Sequence, residues 1–269
     1  MNNIYGFIGI GNMAKAIING IITNNICNPN EINIFDIDIN KCSQFSKKLG
    51  LNVLDSSKQV ITESKYIFLA VKPQNFPELL DEIKDFITEE KILISIAAGI
   101  TTDYILNKIN SNCPIIRVMP NTPLLLGEGA SAICKTSNVN NDDFNKIYNI
   151  FNSCGVCEII DESNMDTIVA INGSSPAYIF LLAKAMLEFS NIHNIDYNSS
   201  LNLICKTLEG TAKMLNSSGF SPDELIKMVS SPGGTTVEAL KVLEENNFYN
   251  GIISAMEKCS KRSKELSKH

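Results

Sequence analysis

The chain carries the run Gly9-Ile10-Gly11-Asn12-Met13-Ala14 close to its amino end, and no other segment narrows its possible folds as much. A short apolar stretch, Ile4 to Ile8, precedes it and reads as a buried strand bounded by glycine. Lys15-Ala16-Ile17-Ile18 follows in a helix-compatible pattern. Strand, glycine turn and helix in that order match the relaxed dinucleotide-binding fingerprint, with alanine at the third small position. Gly9 can make the tight turn out of the strand, and Gly11 lets backbone N–H groups approach a pyrophosphate with no Cβ in the way. Asn12 and Met13 continue the turn, and Ala14 lets the helix lie close to the strand. The helix amino end adds N–H donors and a favourable field for phosphate.

The next apolar strand, Ile32 to Ile37, runs into Asp36 and Asp38. A carboxylate at the end of a second strand accepts hydrogen bonds from both adenosine ribose hydroxyls and repels a ribose phosphate. Asp36, with Asp38 second, therefore leans toward NADH over NADPH by a modest margin, and Ile37 adds no positive group to reverse it. The separation from Gly9 is 27 residues, longer than the usual figure of about 20, and Asn24 to Asn30 can absorb the excess as a surface loop. The plainer alternative for Asp36 is a solvated carboxylate that ends a strand.

Further strands are expected at Tyr66–Val71, Lys91–Ala97, Pro114–Met119 and Gly129–Cys134, alternating with helices such as Phe76–Ile83 and Phe144–Phe151. This alternation predicts an α/β fold with a Rossmann-like, mostly parallel sheet covered on both faces. From Met165 onward apolar residues recur at helical spacing and no convincing strand returns. Ser221 and Glu224 form a reciprocal capping pair around Pro222 at the start of one of these helices. The expected division is a dinucleotide-binding domain over residues 1–161 and an all-helical domain over residues 162–269, with a frayed Lys-rich tail.

Acidic residues outnumber basic ones by 29 to 23, a net charge of −6 that opposes a broad nucleic-acid footprint. No apolar run near the amino end is long enough to cross a bilayer, so neither a membrane partner nor a targeting segment is expected. The eight cysteines are too thinly spread for a disulfide scaffold and fit reduced thiols in a cytoplasmic protein. Cys154-Gly155-Val156-Cys157 spells C-x-x-C, but it lies between a helix and a strand instead of at a helix amino end, and no second pair follows at zinc-finger spacing. With only His193 and His269 available, no hydrolase triad and no metal site are expected; His193 reads as a helix-end surface residue.

Val229-Ser230-Ser231-Pro232-Gly233-Gly234-Thr235-Thr236 gathers hydroxyl groups around two glycines just ahead of a predicted helix. Its hydroxyls and N–H groups can enclose a small carboxylate, or it can simply be a capped loop between helices. This segment resembles the signature of the pyrroline-5-carboxylate reductase family. The resemblance runs almost end to end, through Gly6–Met13, Ala70–Gln74, Ser95–Ile100, Arg117–Pro123 and Gly173–Tyr178. It implies an oxidoreductase that reduces 1-pyrroline-5-carboxylate to L-proline by hydride transfer from NADH or NADPH, the last step of proline biosynthesis. It also implies a homo-oligomer of interlocked dimers joined through the helical domains, with a decamer as one further assembly.

The resemblance places the substrate carboxylate on Ser231, Gly234, Thr235 and Thr236, with Ser175 nearby. Thr236 corresponds to the hydroxyl associated with the ring nitrogen and is the leading catalytic or orienting residue. A threonine hydroxyl is a weak acid at neutral pH, so its expected role is to orient the imine. Val71, Lys72 and Pro73 resemble the loop that borders the cofactor. Lys72 contacts a cofactor oxygen or only organises that loop. Ala97 and Ala98 allow close approach of the nicotinamide, or pack as core. Asn121 fixes the cofactor amide or an adjacent loop, and Ser57 stands where the family often has asparagine near the adenosine. Two other readings remain open: a nucleotide-sensing interaction protein on the same scaffold, and a reductase for another imine or small acid.

Overall fold

Eight strands, Tyr5–Ile8 (β1), Ile32–Phe35 (β2), Asn52–Val53 (β3), Tyr66–Leu69 (β4), Ile92–Ser95 (β5), Ile115–Met119 (β6), Gly129–Lys135 (β7) and Gly155–Ile159 (β8), form one sheet in the computed structural model, which describes residues 5–266. Ile4, the expected first residue of β1, and the tail with His269 lie outside the described residues. The strand order is β3-β2-β1-β4-β5-β6-β7-β8. All pairings are parallel except β6 with β7. β1, β4 and β5 are buried throughout, as strands covered by helices on both faces must be.

One face of the sheet packs Phe7, Ile34, Phe68, Ile94 and Val118 with helices Asn12–Thr23 (α1), Ile39–Leu49 (α2) and, later in the chain, Asn141–Asn152. The other packs Ile8, Ile67, Leu69 and Leu93 with Ser57–Glu63 (α3), Phe76–Ile83 (α4) and Thr102–Ile109 (α5). Asn141–Asn152 is α6. The parallel pairs stack their aromatic residues, with the rings of Phe7 and Phe68 4.3 Å apart and nearly parallel. The crossover direction reverses between β1 and β4, and such a switch point opens a crevice beyond the strand carboxyl ends.

The mostly parallel sheet and the helical carboxyl-terminal region agree with the sequence expectation; three strand ends do not. Strands expected through Ile37, Val71 and Ala97 stop at Phe35, Leu69 and Ser95, which releases the following residues into loops at the crevice. β3 and α3 leave no clear sequence signal, because two residues are too few for a period-two pattern and seven too few for a strong helical one.

The chain forms two compact units, residues 1–176 together with 257–269, and residues 177–256. Compactness therefore does not divide the chain at residue 161. Met165–Ile168 (α7) and the π-helical turn Val169–Gly173 belong to the sheet unit, where Met165 is fully buried against Ala132 and Cys134. Arg117 on β6, only 3% exposed, pairs with Glu162 at 3.3 Å and Asp166 at 2.9 Å. Glu162 also accepts the Thr102 N–H and hydroxyl, and Ser263 donates to Asp166. This interior network ties the end of the sheet to the chain beyond it.

Ser175–Ile192 (α8) begins at the edge of the first unit. Within the second unit lie Tyr197–Ser217 (α9), Pro222–Met228 (α10) and Thr235–Glu245 (α11), followed by the start of Phe248–Leu266 (α12). The capping pair expected at Ser221 and Glu224 is present, with Ser221 Oγ accepting the Glu224 N–H. The helices of this unit bury little: Phe180 and Leu181 on α8 are 65% and 67% exposed. Replacing Arg117 with methionine strands Asp166 and Glu162 without their cation. At fixed protein concentration, Arg117→Met is expected to lower the unfolding free energy in urea by about 2–3 kcal/mol, less than a fully buried pair because Glu162 remains partly solvated.

Candidate functional site

The glycine turn sits where the sheet changes direction. Gly9 has φ +94, a left-handed backbone, and a Cβ there would lie 2.8 Å from the Ala70 carbonyl oxygen. Its N–H donates to Phe35 O at 2.7 Å, while the Ala70 N–H donates to Ile8 O at 2.9 Å, so the turn is stitched to β2 and to the end of β4. Gly11 caps α1 without a side-chain hydrogen bond, and a Cβ built on it meets nothing within 4 Å. The first N–H groups of this 12-residue helix thus open onto a surface that a side chain would cover. Ala14 is buried against the sheet. Unpaired N–H groups at a helix amino end suit a pyrophosphate.

Asp36 lies directly beside the turn. Its Oδ2 accepts the Ile10 N–H at 2.6 Å and the Lys41 ammonium at 3.0 Å, and its Oδ1 accepts the Asp38 N–H at 3.0 Å. Burial works against the charged carboxylate, but the two N–H groups and Lys41 together outweigh it and hold the carboxyl below its ordinary range. The hold of Asp36 on the turn is therefore intact at neutral pH and is lost only as pH falls through that lowered value. Asp38 does something different: it caps α2, accepting the Lys41 N–H at 3.2 Å. Lys41 escaped the sequence reading because it lies five residues beyond Asp36. The reversal at Asp38 into the first turn of α2 folds it back.

The structure gathers most of the other predicted cofactor residues at the same strand ends. Asn12 and Met13 open α1, Val71, Lys72 and Pro73 follow β4, Ala97 and Ala98 follow β5, and Asn121 follows β6. Lys72 is exposed, whereas Ala97 is packed in the core. Two of the predicted residues have protein partners of their own. The buried Ser57 hydroxyl donates to Glu82 on α4. Asn121 accepts the Ala130 N–H at 2.9 Å and donates to Asn172 O at 3.2 Å. Asn172, inside the π-helical turn, donates in turn to Met119 O and Ala130 O. This clasp fixes the break before α8, where the Ser175 hydroxyl lies 3.5 Å from Asn172 O.

Ser231, Gly234, Thr235 and Thr236 lie in the second unit, at the junction of α10 and α11. Gly233 has φ +72, and the Gly234 N–H donates to Ser231 O at 2.9 Å, closing a tight turn. Gly234 is the amino cap of the 11-residue α11 and supplies no side chain, so Thr235 and Thr236 occupy the first turn of a helix with outward N–H groups. Ser231 and Thr235 are exposed and Thr236 half-buried. Backbone donors and hydroxyls at a helix amino end suit a small carboxylate.

Cys154 and Cys157 are both buried free thiols, and burial pushes the Cys157 thiol up to about 12, far from a reactive thiolate. His193 is exposed beyond α8, with its ring against Phe189. Among the described residues, no three His, Cys, Asp or Glu side chains group as a metal site would.

A glycine turn at the switch point of a doubly wound sheet, followed in the chain by a helical unit, is the organisation of a two-part nicotinamide-dependent oxidoreductase. A family model described as pyrroline-5-carboxylate reductase dimerisation matches residues 162–266, and one described as NADP oxidoreductase, coenzyme F420-dependent, matches residues 4–99. The pyrroline-5-carboxylate reductase of Escherichia coli (strain K12) is 36% identical over 268 residues, covering 100% of both chains. The structure of Plasmodium falciparum pyrroline carboxylate reductase with NADP bound has a TM-score of 0.92 and 32% identity, covering 99% of each chain. That of a Coxiella burnetii pyrroline-5-carboxylate reductase has a TM-score of 0.88 and 33% identity over 100% of each. The chain belongs to the pyrroline-5-carboxylate reductase family.

Gly9→Ala forces a Cβ against the Ala70 carbonyl in a backbone region that alanine avoids. The variant should lose about 1–3 kcal/mol of stability and bind reduced nicotinamide coenzyme at least about tenfold more weakly, which is near 1.4 kcal/mol. Fluorescence titration with NADH and NADPH, alongside urea unfolding, measures both.

Proposed function

We propose that this chain reduces 1-pyrroline-5-carboxylate to L-proline with a reduced nicotinamide coenzyme, the last step of proline biosynthesis. One observation carries the reading: an open phosphate cradle at Gly9–Ala14 and a hydroxyl-lined helix amino end at Ser231–Thr236 occur on one chain that matches a reductase of this name along its whole length. Bound at the glycine turn, the coenzyme supplies a hydride to C5 of the cyclic imine.

The chain's own residues bind and orient. Gly11 and the first N–H groups of α1 hold the pyrophosphate, and Asp36 accepts from the adenosine ribose. Val71, Lys72 and Pro73 border the coenzyme, with Ala97 and Ala98 leaving room for its nicotinamide end. Ser231, Gly234 and Thr235 anchor the substrate carboxylate, and Ser175 lies near the substrate. Thr236 hydrogen-bonds the ring nitrogen. The electrophile is the protonated imine, and a strong cation beside the ring would disfavour that protonated form. Rate enhancement comes chiefly from holding the reacting carbons in register with water limited. Asn121 serves by shaping the loop through its two hydrogen bonds, and Ser57 supports the adenosine side from within the core.

NADH is preferred to NADPH by a modest margin. Asp36 disfavours a ribose phosphate, and the adjacent Lys41 keeps that discrimination small. The functional form is a homo-oligomer of interlocked dimers, and a decamer is the larger assembly proposed. The stretch Glu162–Ile192 is long and apolar enough to cross a membrane by length and composition. A second copy is the better cover for it, because Asp166 within it is paired to Arg117 and the chain breaks its helix at the π turn. Eight free thiols fit a reducing cytoplasm.

Steady-state oxidation of NADH and NADPH with 1-pyrroline-5-carboxylate tests the reading. Substrate-dependent turnover is expected with both coenzymes, with kcat/KM a few-fold higher for NADH; absence of turnover with either would overturn the proposed activity. Thr236→Ala is expected to lower kcat/KM for the imine about 10- to 100-fold, the worth of one hydrogen bond to a charged group. Coenzyme Kd should stay within about twofold, since the turn that binds it lacks this hydroxyl. Unchanged kcat/KM would remove Thr236 from its role.

A further inference from the structure

Asp36 is usually expected to exclude a ribose phosphate simply by its charge. In this chain the carboxylate does not stand alone. Lys41 Nζ lies 3.0 Å from Oδ2, and the pair is unequally buried, with Asp36 11% and Lys41 34% exposed at the side chain. The carboxylate is pinned from three sides, by the Ile10 N–H, the Asp38 N–H and Lys41. Two of those three bonds are backbone contacts that survive if the ammonium leaves. Asp36 is therefore fixed, and Lys41 is the mobile member, a flexible side chain that reaches in from the first turn of α2.

We propose that Lys41 determines coenzyme choice in this chain, pairing with Asp36 when the adenosine ribose carries a free 2′-hydroxyl and turning to the 2′-phosphate when it carries one. The inference rests on the coenzyme reading given above and adds a residue to it. With a hydroxyl at the ribose, the Asp36–Lys41 pair is neutral, and Oδ1, which carries one N–H, keeps acceptor capacity for the sugar. With a phosphate at the ribose, Lys41 exchanges one anionic oxygen for another and remains paired. Asp38 adds a second negative charge on the same loop, offset in part by the field of the α2 amino end that it caps. The outcome is a site that tolerates both coenzymes, in which removal of one ammonium restores the exclusion that Asp36 alone would impose.

Binding of coenzyme fragments to the full chain, in the absence of substrate, separates the contributions. Calorimetric titrations with ADP-ribose and 2′-phospho-ADP-ribose give a ratio of Kd values for each variant. Lys41→Ala is expected to shift the ratio at least about tenfold against the phosphorylated fragment, and Lys41→Arg to keep it within about threefold of the parent. Asp36→Asn retains an acceptor for the Ile10 N–H and should shift the ratio the opposite way, toward the phosphorylated fragment. If the parent chain binds both fragments and Lys41→Ala leaves their ratio unchanged, the role of Lys41 is overturned and the coenzyme reading stands. If the parent binds neither, both fall. Lys41 is partly exposed and its backbone cap does not depend on the ammonium, so folding of the variants, checked by circular dichroism, is expected to be preserved.

Discussion

The close approach of Gly9 to the Ala70 carbonyl is the constraint from which the rest of the sheet unit follows. β1 and β4 lie side by side in parallel, and the chain leaving β1 must turn at once to begin α1. Only a backbone without Cβ makes that turn at φ +94 against a neighbouring carbonyl. The turn then fixes the direction of α1, which sets where its unpaired N–H groups point. It also presents the Ile10 N–H to Asp36, so the second strand end is tied to the first by a charge-assisted hydrogen bond. Phosphate binding and ribose recognition are in this sense one piece of geometry.

How far the sequence reveals this structure depends on the distance over which each feature is determined. The turn at Gly9–Ala14 is legible because strand, glycines and helix are contiguous and the geometry is local. The alternation of strands and helices is legible for the same reason, down to the change of period after residue 162. What the sequence conceals is side-chain partnership. Ser57 stands where the family often has asparagine near the adenosine, yet Glu82, distant in sequence, claims its hydroxyl. Asp36 looks like a bare carboxylate until α2 folds Lys41 back onto it. The Ser231–Thr236 loop is a different case: by residue type it suits either a small carboxylate or a capped turn between helices, and the particular substrate comes only from resemblance to a family.

Buried charge explains why compactness does not respect the change from strands to helices. Arg117 on β6 has its counter-ions on the chain that follows the sheet, so residues 162–166 cannot leave it without exposing an unpaired guanidinium to the interior. The π-helical turn then holds Asn172 against β6 and β7. π turns are rare and interrupt the regular helical hydrogen-bond pattern. Here the interruption falls just before α8, beside Ser175.

The apolar sides of α8 have a consequence for how this chain tolerates change. Phe180, Leu181, Phe189 and Ile192 lie on the outside of the single chain, where substitutions ordinarily cost little. In the proposed dimer, where a second copy covers them, they would obey the rules of an interior, and a polar replacement there would act on both subunits at once. Surface positions in this helix should therefore drift as slowly over evolutionary time as the residues beneath the sheet. In the proposed dimer, dilution, which leaves the folding of most small enzymes untouched, would act as a form of denaturant.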